Sequence, residues 1–568
     1  MSNSLFFDRR SIPMGEMFEM LMYEAPAGRH LWKRVGCCRR RTGFWIGIMV
    51  GLSFGGLRAD TFIVTHTGDS GPGSLRRAIG HSNNHAGADT VQFQLPDTDQ
   101  GFDGSVWTIR PASLLPAVHD DSTFIDGESQ TRFAGDTNPD GPELFLDGRD
   151  IAEYCAGLEL ISAHNTVCGL TVSGFQYYGI WIHGEQTYNN HVWGNYIGIT
   201  PAGNDTVSNR FGLYLMEGTR GNRIGGSEAR FRNVISGCRS NGIYISGSDS
   251  NRVTGNYIGT DHTGTVSLPN GRDGSNGIRL DNGSRENSIG GSGSGEGNLV
   301  SGNFRDGIHL SGVHNNHILG NWIGLDTSGT VCLGNGQGGV GDGVDIRDGS
   351  TGNRIGGSGP GESNTISGNA SIGIRLLKNG TRNNIIMGNR IGTSADGMRP
   401  AANGLDGVFI YNGASNNRVG GPEPGEGNLI SGNGWYGVYI EKAGTDSNCV
   451  FGNRIGTDET GQNRLANTRN GIRLERGCRH NRIGPSNIVS GNGASGLAIS
   501  QADSNLVVGN WFGVDASGMG SIGNQEYGIR VTGGSASNTI GGENQADRNV
   551  ISGNTLAGIG VLDDSTTG

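Results

Sequence analysis

The side chains best suited to chemistry in this 568-residue chain are Arg279, Asp281, His309, Asp345, Arg347 and Arg375, the third or fifth residues of short segments that each open with glycine. If these segments pile up as rungs, Arg279, His309, Asp345 and Arg375 form one column and Asp281 and Arg347 belong to the next. Neighbours in a column then lie about 5 Å apart, close enough to act on one substrate. In a lyase, Arg or His could take the proton beside a uronate carboxylate while another Arg neutralises it; in a hydrolase, Asp281 and Asp345 could be acid and base. The plainer alternative is a solvated face whose charges pair across rungs, such as Asp281 with Arg347.

The same positions before and after this central group are aromatic. Trp181, Tyr214 and Tyr244 precede it, and Phe409, Tyr411, Tyr439 and Arg473 follow. Aromatic rings on an extended face can stack on sugars, and Arg grips carboxylates or sulfates with its planar fork, so these seven are the candidate substrate-binding residues.

What must position them is a repeat. Glycines 179, 212, 242, 277, 307, 343, 373, 407, 437, 471, 496, 528 and 558 each open a segment like Gly277-Ile-Arg-Leu280. Their spacing of 25 to 36 residues is that of a solenoid. Two further families keep the beat: Asn-x-Ile-Gly-Gly or Asn-x-Ile-Ser-Gly-Asn runs, and Gly-Asn-x-Ile-Gly from Gly194 onward. Apolar residues alternate, as in Ile278 and Leu280, which is the period of a half-buried strand. Each coil is therefore expected to hold three short strands, and thirteen stacked strands span about 58 Å. Asn195, Asn256, Asn321, Asn389, Asn453 and Asn510 are expected to alternate along one ladder with Asn303, Asn369, Asn433, Asn492 and Asn554, broken where Cys238 replaces Asn.

From Leu158 to the C-terminus these repeats resemble the right-handed parallel β-helix of the pectate-lyase-like superfamily. That resemblance implies an all-β solenoid of about thirteen or more three-stranded coils. The run Asp69-Ser-Gly-Pro-Gly-Ser-Leu-Arg76 resembles the N-terminal cap of bacterial surface β-helix proteins, with a short helix starting after Ser74. Pectate lyases of this fold use acidic calcium ligands with Arg or Lys. The nearest acidic group here is Asp342, Asp345 and Asp348, which would offer Ca2+ hard oxygen ligands. The Asn-Thr-Asp, Gly-His-Gly and Arg-x-Lys motifs of the related polygalacturonases do not occur.

The expected organisation is a leader over 1–59, a cap with first strands over 60–157, and repeats over 158–568. Basic Lys33 to Arg41, an apolar run from Phe44 to Leu57 and Ala59 read as an export signal, the run being too short and Gly-rich for a membrane span. Residues 1–59 hold nine Lys and Arg and four Asp and Glu, so the remainder has 34 against 49 and a formal charge of −15. That balance excludes a phosphate-tracking nucleic-acid binder. The scattered cysteines make neither a zinc spacing nor a dense disulfide scaffold; Cys155 and Cys168 are the one pair near enough in sequence to bridge. Three readings stand: a secreted or cell-surface protein binding extended polysaccharide or another cell-surface partner, a polysaccharide lyase or hydrolase, and a structural adhesin-like stalk.

Overall fold

The computed structural model describes residues 59–563, 565 and 566. The expected leader up to Arg58, and Thr567 and Gly568, lie outside the described residues. Every strand ladder is parallel, and the strands sort into three sheets of 16, 15 and 14 strands among the described residues. Successive strands in one sheet come from successive coils, so each full coil contributes one strand to each sheet. This is the parallel β-helix expected from the repeats. The first sheet runs from Thr61–Val64 to Thr539–Ile540, the second from Trp107–Ile109 to Val550–Ile551, and the third from Ala156–Leu160 to Ala557–Val561.

The thirteen glycine-led segments are thirteen of the fourteen strands of the third sheet. Their second and fourth residues point inward: Ile278, Leu280, Ile308, Leu310, Val344 and Ile346 are wholly buried. Glycine opens the strand because the next coil passes close beside it. A Cβ at Gly343 would come within 2.4 Å of Ile366 Cγ2 and 2.7 Å of the Gly373 carbonyl.

The bends are held by asparagine. The Asn195 set does not alternate with the Asn303 set as expected, because each coil turns more than once and each turn carries its own ladder. Asn195, Asn233, Asn256, Asn298 and Asn321 form one run, each backbone N–H donating to the next side-chain carbonyl at 2.9–3.3 Å. Asn303, Asn335, Asn369 and Asn403 belong to a second, and it is this one that Cys238 interrupts, donating its own N–H to Asn270 Oδ1 at 3.1 Å. A third runs through Asn287, Asn316, Asn353, Asn384 and Asn417. Buried backbone donors at a bend must find partners, and the stacked amides supply them coil after coil.

At the N-terminal end, helix Leu75–Ser82 turns Leu75, Ala78 and Ile79 into the core, and Ser74 caps it by accepting from the Arg77 N–H. A second helix, Glu128–Ala134, follows two coils later. The first two sheets already begin inside 60–157, ahead of the third. The six described cysteines are free, Cys155 and Cys168 included. Among the described residues no helix is long and apolar enough to cross a membrane.

Replacing Asn353 with Ala tests the ladder. It leaves the Asn316 backbone N–H, 3.0 Å from Asn353 Oδ1, without a buried acceptor, and strips the Asn316 side-chain amide of one of its three. Chemical denaturation should show a loss of about 2–5 kcal/mol, whereas Asn379→Ala, on the exposed surface, should stay within about 0.5 kcal/mol of wild type.

Candidate functional site

The outer face of the third sheet carries the candidate residues in one unbroken register. Trp181 pairs with Tyr214, Tyr214 with Tyr244, Tyr244 with Arg279, Arg279 with His309, His309 with Asp345, Asp345 with Arg375, Arg375 with Phe409, Phe409 with Tyr439, and Tyr439 with Arg473. In the adjoining column Tyr411 follows Leu377, which follows Arg347. A parallel ladder can place chemically unlike residues side by side only because the inward residues of each strand fix its register.

The centre of this face is a dense ionic cluster. His309 Nδ1 lies 3.1 Å from Asp306 Oδ2 and 3.1 Å from Asp345 Oδ2. Arg375 reaches Asp345 Oδ1 at 3.1 Å through Nε and Asp342 Oδ2 at 2.8 Å through Nη2, and Arg347 closes on Asp345 from the other side. Asp345 is fully buried although it stands on the outward side of the strand. Burial alone would raise its carboxyl, but the His309 hydrogen bond and the Arg375 charge hold it well below the usual range. Burial pushes Asp342 up to about 7 against the pull of Arg375. Burial would depress His309, yet hydrogen bonds and charge from Asp306 and Asp345 raise it above 6.5.

Arg279 and Asp281 form a separate pair. Arg279 Nε meets Asp281 Oδ2 at 3.0 Å, and Tyr244 donates its hydroxyl to the same oxygen at 2.5 Å. Asp281 therefore pairs within its own strand and with Tyr244, and Arg347 pairs with Asp345, rather than the two with each other. Arg473 makes two contacts with Glu475, at 3.0 and 2.6 Å, and Tyr439 donates to Glu475 at 2.7 Å.

The flanking rings stack on one another. Tyr214 and Tyr244 lie 4.6 Å apart and within 4° of parallel, Phe409 and Tyr439 4.8 Å apart and within 16°, and Trp181 stacks on His183 at 3.7 Å. Rings one rung apart cover each other's faces, so this surface offers ring edges and polar rims to a partner. The rings form two aromatic ends with the Arg, His and Asp cluster between them.

Asp306 and Asp406 escaped the sequence reading, and Asp342 entered it only as a metal candidate. All three stand immediately before a strand glycine and are buried. Asp306 Oδ1 accepts from the Asp342 N–H, Asp342 Oδ1 from the Ile372 N–H and Asp406 Oδ1 from the Tyr436 N–H. Burial pushes Asp406 up to about 7. The recurrent Asp-Gly at the strand head is the signal that could have found them.

A cation does not fit this cluster well. Asp348, the third member of the expected calcium group, turns to Ser311 and Lys378. Ligand atoms of Asp306, His309 and Asp345 do lie within 4.8 Å of one another. However, Arg347 and Arg375 already neutralise Asp345, and a metal would have to displace them. Two hard carboxylates beside one imidazole are also a poor donor set for a soft metal ion.

NMR of His309 should show a midpoint above 6.5 that falls in Asp345→Asn. Because a raised imidazole favours the folded state only while protonated, its contribution is fully present below pH 6.5 and is lost as pH climbs through the folded-state value. The stability gap between wild type and His309→Gln should therefore narrow as pH rises above 6.5, and a gap that widens would refute the charge assignment.

Residues 146–323 match the family model described as "Periplasmic copper-binding protein (NosD)". No curated protein matches the chain. Among solved structures, the periplasmic alginate epimerase AlgG is 13% identical, with 78% of this chain and 84% of that chain covered at a TM-score of 0.33. The Azotobacter vinelandii mannuronan C-5 epimerase AlgE4 A-module is 13% identical over 87% and 94%, at 0.30. Dettilon tailspike protein gp208 is 12% identical over 80% and 64%, at 0.34. At these scores the architecture of this chain rests on its own three parallel ladders.

Proposed function

We propose that this is an exported β-helix protein that binds an extended acidic polysaccharide along the outer face of the third sheet. The observation that carries the reading is the unbroken column from Trp181 to Arg473, with cationic Arg279, His309 and Arg375 midway between two aromatic ends. Held between the carboxylates of Asp306 and Asp345, which favour its protonated form, His309 suits holding a carboxylate better than removing a proton. The chain is acidic overall, so an acidic polymer has to be met by such a local cluster. The export reading of residues 33–59 and the periplasmic description of the matched family support a place outside the cytoplasm.

A second reading, a polysaccharide lyase, draws on one further feature. His309 Nδ1 is fixed between two carboxylates, which leaves Nε2 as the ring atom available to a substrate. Arg279 and Arg375 sit on the rungs either side of it, where they would neutralise a uronate carboxylate.

Affinity electrophoresis in polygalacturonate or alginate separates these readings. Retention of the wild-type chain should fall at least tenfold in Arg279→Ala combined with Arg473→Ala, both partly exposed positions, while far-UV circular dichroism stays unchanged. Equal retention in the variant, or none in the wild type, would overturn the proposal. Shortening of the polymer on size exclusion, abolished by His309→Gln, would replace binding by lyase chemistry.

A further inference from the structure

A second face repeats a different pattern. The outward residue of each second-sheet strand alternates between a large planar group and a smaller, mostly aliphatic one. The planar groups are Tyr196, Tyr257, Trp322, Arg390, Arg454 and Trp511, all half-buried. The ladder gives the alternation directly: Tyr257 pairs with Leu299, Leu299 with Trp322, and Trp322 with Thr365. Planar groups therefore recur every second rung, about 9.6 Å apart, roughly the length of two pyranose units in an extended β-1,4-linked chain. Among the described residues Tyr257, Trp322 and Trp511 stack on no other ring, unlike the rings of the third sheet, because an intervening rung separates them; the Arg232 guanidinium lies 4.0 Å over Tyr257.

Two rows of loops wall this face into a groove. On one side the Thr-Asp type loops hydrogen-bond to one another across two coils, as in Thr327 N–H to the Gly264 carbonyl at 3.3 Å and Ala395 N–H to the Gly329 carbonyl at 2.9 Å. Glycines of these loops, at positive φ, lie against the rings. A Cβ at Gly329 would stand 3.3 Å from Trp322 Cη2, and one at Gly518 3.5 Å from Trp511 Cη2. On the other side the Gly-rich loops, such as 290–297 and 356–363, meet the neighbouring coils, with Gly320 N–H donating to the Glu362 carbonyl at 3.2 Å. Between the walls lie cavities of about 510, 430 and 360 Å3, containing Arg390 and Arg454, Tyr257 and Trp322, and Tyr196 respectively.

The charges in the groove are mixed, with Arg390 and Arg454 sharing Glu459 and Arg232 lying over Tyr257. Arg390 Nε meets Glu459 Oε2 at 3.1 Å, Arg454 Nη1 lies 4.0 Å from Glu459 Oε1, and the wall residue Arg354 is paired with Glu362. A groove of mixed charge, with backbone carbonyls and planar groups two rungs apart, complements a neutral polymer. We infer that the second-sheet groove is a separate binding site for a neutral, extended β-1,4-linked glycan, with one planar side chain for every two sugars.

Isothermal titration of the full chain with cellohexaose tests this. Saturable binding is expected, weakened at least tenfold by Trp322→Ala and largely kept by Trp322→Phe, with thermal unfolding unchanged in both. Arg279→Ala, on the third sheet, should leave cellohexaose binding intact, so this site can fail or hold independently of the acidic-polymer site. Absence of saturable binding, or equal binding by wild type and Trp322→Ala, would overturn the inference.

Discussion

Everything in this molecule depends on coil-to-coil registration, and the asparagine ladders at the bends enforce it. A parallel strand pair two to six residues long has few hydrogen bonds with which to choose its register. The bends add a directional contact at each corner, where one amide accepts the backbone N–H and side-chain N–H of the coil before it, as Asn353 does for Asn316 at 3.0 Å each. A slip by one residue would strip buried amides of their partners and turn inward Ile and Leu to the outside. Repetition thus secures the fold redundantly, and it frees the outward positions to vary.

That freedom yields two unlike faces from one architecture. On the third sheet, aromatic residues on adjacent rungs are close enough to stack on each other, and unlike charges on adjacent rungs are close enough to bond. The result is a tightly self-paired surface in which Asp345 is buried without belonging to the core. On the second sheet an intervening rung holds the rings apart. The difference follows from the super-repeat of two coils, in which only alternate coils bring a large residue to the second sheet.

The fold was legible because its signals recur with every coil. The strand glycines, the inward Ile and Leu and the helix after Ser74 are each where spacing and turn chemistry place them. The site was legible as a column: Arg279, His309, Asp345 and Arg375 do occupy consecutive rungs. Their partners were not, since Asp306 stands outside the strand pattern and reaches His309 only because the turn before Gly307 folds back over the face. The pairing of the asparagines was also misread, because identical Gly-Asn dipeptides serve different bends. In Gly-Asn-x-Ile-Gly the informative residue was x, which reads Tyr, Tyr, Trp, Arg, Arg and Trp along the chain, and its meaning emerges only once alternate rungs are known to lie between two walls.

Hydroxyl-radical footprinting of the full chain, with and without polygalacturonate, tests most directly whether the third sheet is the functional face. Trp181, Tyr214, Phe409, Tyr411 and Tyr439 should become protected relative to Trp322 and Trp511, which lie on the other face and act as internal references. Protection confined to Trp322 and Trp511, or none at any of these side chains under conditions where the polymer binds, would contradict it.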